Sequence, residues 1–211
     1  MSLPHFSSLI SKKTIIMGES GVGKTFFSTL FVLYCLKHSY PLKNLTILDF
    51  APEKRIVKDR YIGGRIVESF NEILLEYTNL SPEIELMKSQ ILEGEQILPP
   101  RLLGQNSMEV LENCYSNFKI CNSLLLNYLQ NPTPILIIND IGIFLHLGGL
   151  RTVEKALNLS TTALINAYYG DFIADDYGSY ISRREKIMLG LLARKMETIY
   201  FNKPLREKLL W

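Results

Sequence analysis

The sequence predicts a three-layer α/β sandwich built on a mostly parallel sheet of about five strands. Short runs rich in β-branched residues alternate with longer helix-like patterns, the order expected of repeated strand–helix–strand units. A glycine-rich turn sits between the first such strand and the first helix, and a later aliphatic run ends in an acidic residue. Both features belong at the carboxyl edge of a parallel sheet, where open α/β sheets bind their ligands.

Taken in order, residues 14–17 form the first strand, stopped by Gly18. A helix follows over 24–38, apolar around most of its circumference and so covered on both sides. Further strands fall at 45–50 (LTILDF), 135–139, 161–165 and 198–201, the run at 135–139 entered through the breakers Pro132 and Pro134. The interval before 135 is about 80 residues long, too much for a single crossover. It reads as a helical insertion at about 68–131, packed on the core of one domain that covers 1–211. Its best helix spans 108–130 with Ser107 as N-cap, and Leu111, Cys114, Tyr115, Phe118, Cys121, Leu125 and Tyr128 recur at spacings of three and four. A last helix reaches Arg194, with Ser182 and Glu185 as its capping box.

Of the 211 residues, 47% are hydrophobic and 21% charged, enough to bury a core and too apolar for long disorder. A net charge of +2 leaves no electrostatic footprint for nucleic acid or an anionic membrane. Cys35, Cys114 and Cys121 are odd in number and form no C-x-x-C pair, so they read as buried thiols in a reducing cytoplasm. The most apolar stretch, PILIINDIGIFLHLGGL, is broken by Asn139 and Asp140 and is too interrupted to span a bilayer.

The chemistry concentrates in Gly18-Glu19-Ser20-Gly21-Val22-Gly23-Lys24-Thr25, which matches G-x-x-x-x-G-K-[ST] in full. At average residue frequencies, chance produces this pattern in roughly 1% of chains of this size. The glycines let successive backbone N–H groups turn inward toward phosphate oxygens, and the helix N-terminus adds a positive field. Lys24 supplies a point charge for the β- and γ-phosphates, Thr25 offers its hydroxyl to Mg²⁺, and Phe26 completes the nucleotide-contacting run.

On this loop, and on ILIIND ending at Asp140, the chain resembles the P-loop NTPase superfamily. The resemblance implies ATP and Mg²⁺ as ligands, with Asp140 on the metal side beside Thr25. Many ATPases of the superfamily carry a glutamate directly after this aspartate, but here the position is Ile141, which argues against fast hydrolysis. The RecA-like branch takes its base from the end of another strand, which makes Asp49, or Glu53 four residues on, the water-activating or substrate-binding candidate. Asn166, ending its strand, is placed to read the γ-phosphate or orient a water.

A polar, aromatic loop over 167–182 follows, then Arg183 and Arg184 in a helix first turn, where the dipole disfavours cations. Asp175 and Asp176, or a ligand phosphate, are the anions expected to offset them. Arg60 and Arg65 flank a Gly-Gly turn and offer further anion contacts. The expected function is a slow, Mg²⁺-dependent ATPase coupled to a partner or a conformational change. Two other readings stand beside it: an ATP-dependent transferase of the kinase or corrinoid adenosyltransferase kind, and a non-catalytic switch or assembly subunit. In the last, a homo-oligomer or protein partner shares the site, with Arg183 or Arg184 supplied across the interface.

Overall fold

Alternating side chains on the parallel strands divide the core into two halves, one on each sheet face. The computed structural model describes residues 4–205 except 39, 58, 77–84, 86–89, 95 and 174. The central elements are β1 (Lys13–Gly18), α1 (Lys24–Lys37), β2 (Leu45–Asp49), a hairpin of β3 (Arg55–Val57) and β4 (Arg60–Ile62), α2 (Ile66–Glu76) and β5 (Ile91–Glu93). They continue as α3 (Pro100–Leu103), α4 (Ser107–Gln130), β6 (Ile135–Asn139), α5 (Ile141–Leu145), α6 (Leu150–Leu159), β7 (Thr162–Tyr168), α7 (Ile181–Ala193) and β8 (Glu197–Phe201).

Six strands pair in the order β5-β2-β6-β7-β1-β8, and every neighbouring pair is parallel. Ile16, Ile47, Ile137 and Leu164 face one way and pack with Phe27, Phe31, Ile66 and Phe70 of α1 and α2. Ile15, Met17, Leu48, Leu136, Ile138 and Ile165 face the other way, onto α4, α5, α6 and α7. The result is the expected three-layer sandwich. α1 is buried on most sides, as its all-round apolar pattern predicts.

Four differences from the sequence reading have local causes. The interval expected as a helical insertion contributes β5, which pairs with β2 as the sheet edge, and α4, which covers one sheet face. Residues 77–84 and 86–89 of that interval lie outside the described residues. The N-cap of α4 is Asn106, not Ser107: its side chain accepts from Glu109 N at 3.0 Å while Glu109 accepts from Gln105 N at 2.9 Å. β7 runs on to Tyr168, so Asn166 sits within the strand rather than at its end. Glu185 does not cap α7; Tyr180, at φ 62°, is the N-cap, and Asp176 Oδ2 accepts from Ser182 N at 3.0 Å.

Cys35, Cys114 and Cys121 are free and buried. Among the described residues, no helix is long and apolar enough to cross a membrane.

Candidate functional site

α1 leaves β1 on one face of the sheet and α7 leaves the adjacent β7 on the other. A crevice opens where crossovers diverge in this way. Here it is a cleft of about 210 Å³, floored by the glycine loop and the ends of β6 and β7. The β4 end of the hairpin and α2 form one wall, and α3 with Glu185 of α7 forms the other.

Gly23 takes φ 89°, a left-handed conformation costly for any residue with a Cβ, and this lets the chain turn from the loop straight into α1. A Cβ there would also stand 2.8 Å from Leu205 Cβ. The first turn of this 14-residue helix thus brings unpaired N–H groups and the positive dipole end to the cleft. Lys24 Nζ donates to Gly18 O at 2.9 Å and Glu19 O at 2.7 Å. Burial pushes its pKa down to about 8, against the opposing pull of Asp140 and Glu19. Carbonyl oxygens are weak partners for an ammonium compared with an anion, so this lysine is poised to gain from one.

Glu19 ties the late polar loop to the glycine loop. Its carboxylate accepts from Ser20 N at 2.9 Å, Asp171 N at 3.1 Å and Phe172 N at 3.2 Å. Burial pushes the group up, but these backbone donors hold it below its ordinary value. On the other side, Ser20 Oγ donates to Tyr61 O at 2.9 Å, which lays the β3–β4 hairpin across the loop. Arg65 lines the cleft beyond that hairpin, and its Nη1 stands 3.8 Å from Glu93.

Asp140 also faces the cleft, directly after β6 and in a left-handed conformation at φ 55°. Its Oδ1 is buried and has no hydrogen-bond partner among the described residues. Burial raises its pKa to about 6, with Glu185 adding to the rise and Lys24, His146 and Arg101 opposing it. A buried, unpaired carboxylate oxygen is costly unless a cation or donor completes it. Thr25 brings its hydroxyl to the same end of the sheet, donating to Asn139 Oδ1 at 3.2 Å. This donor set, hard oxygens beside phosphate-ready amides, fits Mg²⁺.

Below the cleft, a chain of polar side chains joins the strand ends. Asn166 Oδ1 accepts from Asp140 N at 2.9 Å, and its Nδ2 donates to Ser28 Oγ at 3.0 Å and Asn139 Oδ1 at 2.8 Å. Asn139 Nδ2 donates to Asp49 Oδ1 at 2.7 Å and to Gly64 O at 3.1 Å. Asp49 accepts in addition from Ala51 N at 3.1 Å and, at the start of α2, from Ile66 N at 2.6 Å. Asn166 and Asp49 were both expected to work on the reacting phosphate or water. Asn166 lines the cleft while its amide positions Asp140, and the carboxylate of Asp49, which does not line the cleft, fixes α2 against β2 and β6.

The remaining candidates scatter. Glu53 is exposed and does not line the cleft. Arg184 Nη2 donates to Leu147 O at 3.1 Å and Gly148 O at 2.9 Å, so main-chain carbonyls rather than Asp175, Asp176 or a ligand offset its charge. Arg183 is exposed and lies outside the cleft. Two charged residues that sequence reasoning did not place here do line it. Arg101 of α3 pairs with Glu185 of α7 at 2.8 Å, with side chains only 7% and 4% exposed. His146 Nε2 lies 3.4 Å from the same Glu185 oxygen, close enough for attraction but without hydrogen-bond alignment. Burial pushes Glu185 up, yet Arg101 and His146 hold its carboxyl below the ordinary value.

No protein-family model matches the chain, and no curated protein sequence matches it.

Proposed function

We propose that this protein binds a nucleoside triphosphate with Mg²⁺ in the cleft and hydrolyses it slowly, as a P-loop NTPase. One observation carries the reading: a complete G-x-x-x-x-G-K-[ST] loop joins a buried parallel strand to a helix N-terminus, with Asp140 facing the same cleft. ATP is the favoured nucleotide. The loop amides and Lys24 hold the β- and γ-phosphates, and the glycines leave room for their oxygens. Mg²⁺, held by Thr25 and Asp140, would neutralise charge on the phosphate oxygens. Asn166 supports this by fixing the Asp140 backbone, and Asn139 by orienting Thr25.

Several sequence-level expectations persist as part of the proposal, including the coupling of turnover to a partner or a conformational change. Glu19 offers a route for such coupling, because it joins the phosphate loop to residues 171 and 172. The transferase reading is favoured by one feature: the cleft continues past the phosphate loop to Tyr61, Arg65, Glu68 and Glu72, where an acceptor would fit. The test is a thermal-shift screen of ATP, GTP and ADP with and without Mg²⁺, followed by phosphate release without an acceptor. A ligand that binds only the native state raises the melting temperature. ATP with Mg²⁺ is expected to raise it and to turn over slowly. No shift with any nucleotide would end the proposal, and binding without phosphate release would leave the transferase and the non-catalytic switch, which turnover on adding an acceptor separates.

A further inference from the structure

The position after Asp140 is an isoleucine, and the backbone explains why no carboxylate works there. Asp140 adopts a left-handed turn, so Ile141 swings into the core, where it is fully buried among residues of α4 and α5. The next residue, Gly142, is the one that abuts Glu185 and Asp140. A Cβ on Gly142 would collide with Glu185 Oε1, and would stand 3.5 Å from Asp140 Oδ1. The missing side chain is therefore the space through which a carboxylate from another helix reaches the carboxyl end of β6. The other oxygen, Oε2, is held at 2.8 Å by Arg101 Nη1, which also donates to Ser182 Oγ at 3.2 Å. His146 stands behind it at 3.4 Å, itself 3.7 Å from the Cys114 thiol.

Each contact has a separate effect on Glu185. Arg101 and His146 anchor Oε2 and keep the carboxylate ionised in a buried site, while Oε1 is left toward Gly142 and Asp140. α7 begins after the late polar loop, so the group arrives from the β7 side of the crevice, opposite the hairpin. A general base needs one oxygen free to take a proton on a carboxylate whose position is fixed, lining the same pocket as the phosphate-binding lysine, and Glu185 has this geometry.

We propose that Glu185 is the water-activating base of this nucleotide site, delivered by α7 in place of the residue after Asp140, with Arg101 as its positioning residue. This rests on the nucleotide-binding reading above. In the step, the water oxygen bonds to the γ-phosphorus as its proton passes to Glu185 Oε1. The bond from that phosphorus to the β–γ bridging oxygen breaks, its electron pair staying on the departing diphosphate. The proton on Glu185 is then released to solvent, leaving nucleoside diphosphate and inorganic phosphate.

The experiment compares wild type, Glu185→Gln and Gly142→Ala in ATP calorimetry and in phosphate release. Glu185→Gln keeps an acceptor oxygen for Arg101 but loses the negative charge and, with it, the ability to take a proton. It is expected to lower kcat by about 10²–10⁴-fold while the ATP dissociation constant stays within about threefold. Gly142→Ala keeps the charge and displaces the carboxylate, so it should lower kcat in the same way even if the first variant folds poorly. Turnover unchanged in both variants overturns the assignment. A parallel loss of binding and turnover also overturns it, assigning Glu185 to the scaffold. Wild-type protein that binds no nucleotide would instead sink the underlying reading.

Discussion

Arg101 and Glu185 form a buried ion pair whose two halves are each expensive to leave alone. The side chains are 7% and 4% exposed, so neither charge recovers its hydration if the other is removed. Removing one partner of such a pair costs about 3–5 kcal/mol, whereas replacing both with apolar groups of similar volume is often neutral or stabilising. Among the described residues, Arg101→Met leaves Glu185 with the long contact to His146, and Glu185→Met leaves Arg101 with Ser182 and the face of Tyr168. These residual partners put both single variants toward the lower end of that range. For a chain of about 200 residues, 3–5 kcal/mol corresponds to a fall in Tm of roughly 6–20 °C. The assay is urea unfolding of wild type, both singles and the double variant, treated as a double-mutant cycle. The double variant should unfold within about 1 kcal/mol of wild type or above it. The coupling should persist in about 1 M salt, because screening acts on exposed charges far more than on buried ones. Single effects that simply add, with coupling under about 0.5 kcal/mol, would refute the claim that Arg101 anchors Glu185.

Three further outcomes follow from the same geometry. Gly23→Ala forces a Cβ into a left-handed backbone at φ 89° and against Leu205, so thermal unfolding should show a loss of about 1–3 kcal/mol together with weakened nucleotide binding; equal stability would show that the turn is not strained. Burial lifts Asp49 from 3.8 to about 7, so the folded protein holds a proton that the unfolded chain releases near its ordinary value. Its contribution therefore favours folding at low pH and is lost as pH rises toward about 7, by at most about 4 kcal/mol at about 1.4 kcal/mol per pH unit. Asp49→Asn should flatten this part of the pH profile of urea unfolding, and an unchanged slope would contradict it. Asn106→Ala should cost about 1 kcal/mol through the lost N-cap of α4, checked in the same unfolding assay, whereas a cap at Ser107 would make it neutral.

The sheet was legible in the sequence because its central strands are buried on both faces and therefore read as aliphatic runs. Ile135–Asn139 is found where ILIIN predicts it, and the loop from Gly18 to Thr25 stands between its strand and helix. The edge strand β5 escaped notice because it is three residues long and only half buried, too short for a period to show. The two sides of the cleft differed for a related reason. Glu185 sits three residues after Ser182, a spacing that satisfies a capping box, and nothing local reveals that the N-cap of α7 lies two residues earlier, at Tyr180. Arg101 lies in a four-residue helix capped by Pro99 and opened by Pro100, with no pattern around it, and reaches the cleft only through tertiary packing. Asp49 was found by its place at a strand end and Asn166 by an expected one, but their hydrogen-bond partners come from Asn139 and Asp140, Ile66, and Ser28, three separate points of the chain.

The most direct test of the account is titration of ATP with Mg²⁺ into wild type and into Lys24→Ala. Removing this buried ammonium, whose pKa burial has already pushed down to about 8, relieves a desolvated charge and so leaves the fold standing. Wild type is therefore expected to bind, and the variant to unfold normally yet show no binding heat. Equal affinity in the two proteins would contradict the claim that the glycine loop is a phosphate site.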